Sequence, residues 1–447
     1  MRYPVPSGRS RELFARAREV IASGVNSTAR ATFSGWEPYP LFVANGEGAR
    51  VRDVDGNEYT DYLLGLGPML FGHRPPVITE AVVEQITRRG TVFALPMAEE
   101  IEVAERIIEL VPSVEQVHLV NTGTEAVLYA LRIARAATAR PLVVRFEGMY
   151  HGFADAIYWS KHPDLAEAGP DEAPRPVPQG PGMPPGIENS LIVLPWNDTV
   201  ALERAFAAHP GQIAAVITEP IMANTGCILP EPGYLERMRE LCSRDGAVLI
   251  FDEVITGFRV HRGGAQALLG IRPDLSTFAK GLGGGFPVAA VGGRRELMAL
   301  VADGTVSMAG TYAANGIAVA AARAALGLIA ERDLHGPLVA RAERLQAGIA
   351  EALANAELPA RVVGSGPIFQ VWFSDRPIRS YRDAARYASA STFRIWWEEM
   401  LRRGVLFHPG HLENLFVSFA HTDAEIDATI EAAREAARAT AARLEAS

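Results

Sequence analysis

Through the middle of the chain, short apolar runs alternate with longer amphipathic stretches, and this alternation restricts the fold more than any other feature. The runs are Val117–Val120, Leu142–Phe146, Leu191–Leu194, Ile213–Thr218, Ala247–Phe251, Leu275–Ala279 and Val288–Val291. They are too short for helices and lack the in–out alternation of a strand with one wet face. They therefore predict strands buried on both faces of a mainly parallel sheet, with crossover helices between them. One such helix is legible at Thr124–Ala139, where Val127, Ala130, Leu131 and Ala134 share a face and Arg132 and Arg135 lie off it.

After about residue 320 the pattern changes to helices with few strands. Leu338, Leu345, Ile349 and Leu353 keep one face apolar, and Thr422-Asp423-Ala424-Glu425 carries the spacing of a capping box at the start of a last helix. The expected organisation is a large domain over residues 76–320, a smaller C-terminal domain over 321–447, and an N-terminal segment, 1–75, that packs with the smaller one. Pro163–Pro185 interrupts the large domain with a run rich in proline and glycine. It reads either as a mobile cover over a site or as an inert excursion.

Composition excludes several classes. With 48% hydrophobic and 21% charged residues, the 447-residue chain has ample material for a core. A formal net charge of −9, with no basic run, argues against nucleic acid and anionic membranes as partners. The N-terminus lacks the apolar stretch of a signal peptide and no segment is long enough to cross a bilayer, so a cytoplasmic protein is expected. Cys227 and Cys242 form no metal-binding or CxxC pattern and read as two reduced thiols. The ten histidines are scattered, and no metal site is expected.

Of the 43 basic residues only Lys161 and Lys280 are lysine. A chain that meets almost every cationic need with arginine keeps an ammonium where a guanidinium cannot serve, and only lysine can lose its proton and condense with an aldehyde. Lys280 sits between an apolar run and Gly281-Leu282-Gly283-Gly284-Gly285, a poor place for a solvated charge. That context points to imine chemistry.

Four further elements fit a pyridoxal phosphate site, although each has a plainer reading alone. Gly123 and Thr124, in Asn121-Thr122-Gly123-Thr124-Glu125, join a strand to a helix and could hold a phosphate on helix N-terminal amides; an ordinary N-cap uses the same residues. Asp252 ends an apolar strand, where a carboxylate needs a cation such as a protonated pyridine nitrogen, or else a helix terminus or metal. Tyr150, in Gly148-Met149-Tyr150-His151-Gly152, could stack on a ring or simply pack. Gly310-Thr311 could donate to a phosphate or form a turn. Nucleotide-binding alternatives fail, because Gly281–Phe286 ends in Phe where GxGxxG needs Gly, and no Gly-Lys-Ser/Thr occurs.

In order, Gly-Thr, Tyr-His-Gly, Asp-Glu-Val, Lys-Gly and Gly-Thr resemble the class III aminotransferases among the fold-type I PLP enzymes. Within that class the chain is similar to the glutamate-1-semialdehyde 2,1-aminomutases from Gly24-Val25-Asn26-Ser27-Thr28-Ala29-Arg30 through Phe416-Val417-Ser418-Phe419-Ala420-His421. The resemblance implies an α/β fold, with a mainly parallel seven-stranded sheet in a large domain plus a smaller α+β domain. It also implies that Lys280 carries pyridoxal 5'-phosphate as an imine and shuttles the substrate proton, while Asp252 bonds the pyridine nitrogen. Tyr150 and Val254 would flank the ring, Gly123 and Thr124 would hold the phosphate, and Asn224 would lie near the cofactor. Thr311 would join the phosphate from a neighbouring subunit, which implies a homodimer with shared sites. Arg30 would receive the substrate carboxylate, with Glu413 near the active site.

Two departures bear on the substrate. Gly65-Leu66-Gly67-Pro68-Met69 stands where the aminomutase pattern has Ser-Trp-Gly-Pro-Met, so that Leu66 replaces an aromatic wall, and Ser160-Lys161-His162-Pro163 stands where the aminomutase lid opens with Gly-Ser-Gly. The expected activity is amino transfer from a carboxylate-bearing amine, such as a β-amino acid, to a 2-oxo acid. The alternative is the aminomutase reaction, forming 5-aminolevulinate.

Overall fold

The computed structural model describes residues 5–446, which divide into two compact units. The larger takes Pro76–His335 and Ile378–Arg386, and the smaller takes the chain up to Pro75, Gly336–Pro377 and the chain from Tyr387 onward. The division falls at 335 rather than 320, because the apolar helix Gly316–Glu331 packs on the helices Pro76–Arg88 and Ala98–Leu110 of the larger unit. The return of Ile378–Arg386 to that unit carries no signal in the local sequence.

The larger unit is built on seven strands: β1 Gln116–Val120, β2 Leu142–Phe146, β3 Leu191–Leu194, β4 Ile213–Thr218, β5 Val248–Asp252, β6 Leu275–Phe278 and β7 Ala289–Gly293. Each lies within two residues of its expected position. Their order across the sheet is β1-β7-β6-β5-β4-β2-β3. Only β7 runs against its neighbours β1 and β6, and every other pairing is parallel. Both faces are covered, which explains the unbroken apolar runs: β4 and β5 are buried at every position. The crossover helix Gly123–Thr138 lays Val127, Ala130, Leu131 and Ala134 into the same core as Ile217, Ile250 and Val291. Because β1, β2, β4, β5 and β6 point the same way, their carboxyl ends meet along one edge. Open α/β sheets place their ligand sites along that edge.

The smaller unit holds two sheets. In one, Val43–Glu47, Arg50–Asp53 and Glu58–Asp61 form an antiparallel meander joined in parallel by Val405–Leu406. In the other, Arg361–Ser365, Ile368–Trp372 and Leu415–Phe416 pair antiparallel. Trp372, Trp396 and Trp397 fill its core. The expected cap is present at the last helix, Asp423–Glu445, where Thr422 Oγ1 accepts from the Glu425 amide and Glu425 Oε2 from the Thr422 amide at 2.9 Å. Among the described residues no helix is long and apolar enough to cross a membrane.

Candidate active site

At the carboxyl edge of the large sheet lies a cavity of about 180 Å³ lined by Gly123, Thr124, Tyr150, Asn224, Asp252, Val254 and Lys280, together with His151, Gly152 and Glu219. Seven of the residues expected from the sequence thus meet in one place. Thr311 is exposed and is not among the lining residues. Arg30 ends a short turn at Thr28–Arg30, Leu66 lies in a turn at φ +67°, and Glu413 donates its amide to the Gly410 carbonyl; all three belong to the smaller unit.

Each lining residue owes its position to a strand end. Lys280 follows β6 and opens the short turn Lys280–Gly283 at φ +44°, a left-handed conformation that a non-glycine residue adopts at a cost of about 1–3 kcal/mol. Such strain is typically tolerated where a side chain must be aimed. Asp252 ends β5 and is 5% exposed. Its Oδ1 accepts from the Val254 amide and the Thr277 hydroxyl, each at 3.1 Å, and its Oδ2 lies 2.7 Å from His151 Nδ1. This bonding holds the carboxylate in one orientation.

Beyond β1 the crossover helix begins at Gly123, and Thr122 caps it by accepting from the Glu125 amide at 3.2 Å. The N-cap and the phosphate-cradle readings are therefore compatible, because Thr122 caps while Gly123 and Thr124 face the cavity. A Cβ at Gly123 would stand 3.1 Å from Val254 Cγ2, and one at Gly152, where φ is +89°, would stand 2.6 Å from Thr124 Oγ1. Glycine keeps this corner open. Tyr150, beyond β2, has its hydroxyl pKa pushed up, first by burial and then by the nearby Tyr158 and Asp252.

Glu219, buried after β4, was not singled out by the sequence. Its Oε1 accepts from the Tyr150 amide and from Asn224 Nδ2, both at 2.9 Å, and its Oε2 accepts from the Ala223 and Asn224 amides. Burial raises its pKa against those hydrogen bonds. It locks the Tyr150 and Asn224 backbones together. His151 was also not assigned a role, and its Nε2 is buried with no hydrogen-bond partner. A buried acid at a strand end beside a histidine was visible in the sequence only as two distant residues.

The segment after β2 is anchored rather than loose. Ser160 donates its amide to the Val177 carbonyl, and the Arg382 guanidinium pairs with both Glu147 oxygens, at 2.7 and 2.9 Å, while also donating to Asp171 and to the Ala168 and Gly169 carbonyls.

A primary amine at a strained turn, a buried carboxylate with fixed orientation, a tyrosine wall and a glycine-lined helix N-terminus fit pyridoxal 5'-phosphate. The family model for Aminotransferase class-III matches residues 33–436. The chain belongs to the class III aminotransferases. It is 42% identical over 419 residues to the glutamate-1-semialdehyde 2,1-aminomutase of Nitratidesulfovibrio vulgaris, covering 94% of this chain and 96% of that one. The aminomutase of Chloroflexus aurantiacus is 44% identical over 94% of both chains. Among solved structures, an ω-transaminase from Sphaerobacter thermophilus superposes with a TM-score of 0.90 at 35% identity, covering 97% of this chain and 98% of that one. A transaminase with PLP bound gives 0.88 at 29% over 98% and 99%. The β-phenylalanine aminotransferase of Variovorax paradoxus gives 0.84 at 30% over 96% and 93%. This class III aminotransferase is therefore a fold-type I enzyme whose cofactor is pyridoxal 5'-phosphate, a transaminase or an aminomutase.

Proposed function

We propose that this enzyme moves an amino group from a carboxylate-bearing amine, in the first instance a β-amino acid, to a 2-oxo acid, working as a homodimer with shared sites. The observation that carries this reading is the anchoring of residues 160–180. An aminomutase must retain its intermediate behind a closing cover, whereas here Ser160 and Arg382 tie the corresponding segment down. Leu66 in place of an aromatic residue, and the likeness to an ω-transaminase and a β-phenylalanine aminotransferase, support it further. The aminomutase reading is favoured by a different observation. The curated relatives at 42% and 44% identity carry that name, and by name alone they support it more directly than they support the transaminase.

When bound, the cofactor supplies an electrophilic aldehyde and an electron-withdrawing ring that acidifies the amine-bearing carbon. Lys280 would hold the cofactor through its amine and, once freed by the substrate, would serve as the base that takes the proton from that carbon. Asp252, oriented by Val254, Thr277 and His151, would keep a proton on the ring nitrogen. The amides of Gly123 and Thr124 would hold the phosphate, and Tyr150 and Val254, which also line the cavity, would flank the ring. Arg30 receives the substrate carboxylate, Leu66 and Glu413 shape the pocket beside it, and each protomer lends Thr311 to the other's phosphate site.

The test is incubation of the holoenzyme with glutamate 1-semialdehyde alone, beside a panel of β-amino acids with a 2-oxo acid. Keto-acid formation from the panel supports the transaminase. Steady 5-aminolevulinate release without any added amine supports the aminomutase instead.

A further inference from the structure

The second lysine of this arginine-dominated chain lies beside the site of the first. The Lys161 ammonium is 5.2 Å from the ring centroid of Tyr150, over its face, and Tyr150 lines the cavity that contains Lys280. We propose that Lys161 is the specificity-determining cation of this enzyme, binding the second carboxylate of a dicarboxylic substrate. This rests on the transaminase reading and narrows it, because one of the exchange partners is then a 2-oxo or amino dicarboxylic acid.

The backbone on both sides of Lys161 is fixed, so the ammonium is presented rather than trailing in solvent. On one side, Ser160 is fully buried at φ +46°, its carbonyl accepts from the Gly148 amide at 3.1 Å, and its hydroxyl accepts from the Val177 amide at 2.9 Å. On the other, His162 Nε2 lies 3.0 Å from the Asn224 carbonyl and 3.2 Å from Thr225 Oγ1, and the imidazole stacks on Tyr381 with centroids 5.5 Å apart. The Tyr381 hydroxyl donates to the Pro163 carbonyl at 2.6 Å. Residues 160–163 thus form a rigid edge touching two of the cavity's own residues, Tyr150 and Asn224.

The choice of lysine fits this role. A guanidinium over Tyr150 would stack flat with its plane parallel to the ring, whereas an ammonium on a flexible stem can leave the ring face for a carboxylate. The cavity also carries two acids, Asp252 and Glu219, beside Lys280 and the His151 imidazole, which Asp252 already engages. An anionic substituent entering there meets a field of its own sign unless a further cation stands at the edge. Lys161 stands there.

The test needs no turnover. Holoenzyme is titrated calorimetrically with glutarate, a dianion, and with butyrate, its monoanionic counterpart, in the wild type and in Lys161→Met and Lys161→Gln. The expected result is tighter binding of glutarate than butyrate by the wild type, with roughly a tenfold loss for glutarate alone in both variants, the size of one charge-assisted hydrogen bond. Cofactor content should be unchanged, which separates this role from a structural one. Equal losses for the two ligands, no loss, or no wild-type preference for glutarate would overturn the proposal. If glutamate 1-semialdehyde alone is converted, the transaminase reading fails, and the titration still decides whether Lys161 binds the second carboxylate.

Discussion

His151 Nδ1 and Asp252 Oδ2 stand 2.7 Å apart, with the imidazole wholly out of water and the carboxylate 4% exposed. Since Asp252 Oδ1 is engaged by Val254 and Thr277, this contact fixes the remaining oxygen and with it the direction in which the carboxylate faces the cavity. Asp252→Asn is expected to retain the cofactor while lowering kcat by roughly 10²–10⁴-fold, the range seen when a positioned proton partner is lost. Stopped-flow half-reactions and the cofactor absorbance check the two parts separately.

His151→Phe keeps the ring volume and removes the hydrogen bond. A buried acceptor left unsatisfied costs about 1–3 kcal/mol, so the melting temperature should fall and kcat should drop by less than in Asp252→Asn. An unchanged kcat would show that Asp252 is oriented without the histidine.

Gly152→Ala tests the glycine-lined corner. The new methyl would meet Thr124 at 2.6 Å from a backbone at φ +89°. Strain of roughly 1–3 kcal/mol is expected at this position, displacing Thr124 and weakening cofactor retention. Dialysis of the holoenzyme followed by cofactor assay reads the effect, and retention equal to the wild type would contradict it.

Arg382 and Glu147 are 4% and 1% exposed and form a two-pronged pair. Arg382→Met strands a buried carboxylate, and the loss should be about 3–5 kcal/mol. Hydrogen exchange should rise around residues 168–171, which the guanidinium holds. The double variant with Glu147→Gln should recover part of the stability, since no unpaired charge remains.

The hydrogen bond from Arg386, helped by that from Arg382, holds the Asp171 carboxyl well below the usual carboxylate range against the opposing effect of burial. A carboxyl depressed in the folded state contributes stability that is present above its unfolded pKa and is lost as pH falls. The melting temperature should therefore decline as pH drops below about 4, the unfolded value, and Asp171→Asn should flatten part of that decline. Asp171 is half-exposed, so the effect should also shrink in high salt.

The seven strands were legible because burial on both faces leaves an apolar run with sharp ends, as at Leu142–Phe146 and Ile213–Thr218. Lys280 was legible because lysine is so scarce in this chain, and Asp252 because a carboxylate closing an apolar strand demands a partner. What escaped depends on contacts across long separations. Arg382 meets Glu147 across 235 residues, and nothing local marks Ile378–Arg386 as a piece of the larger unit. The Pro163–Pro185 stretch has no periodicity, yet the distant Arg382 binds its Ala168 and Gly169 carbonyls, and its own Gln179 side chain accepts from the His162 amide just before it. Glu219 was missed because most of its hydrogen bonds come from the backbone amides of Tyr150, Ala223 and Asn224, which no residue type marks in a sequence.

Borohydride reduction of the holoenzyme followed by peptide mapping shows which amine carries the cofactor. The cofactor mass should appear on the peptide containing Lys280 and vanish, together with turnover, in Lys280→Ala. A label on the Lys161 peptide, or an undiminished label in Lys280→Ala, would show that Lys280 is not the residue that holds the cofactor.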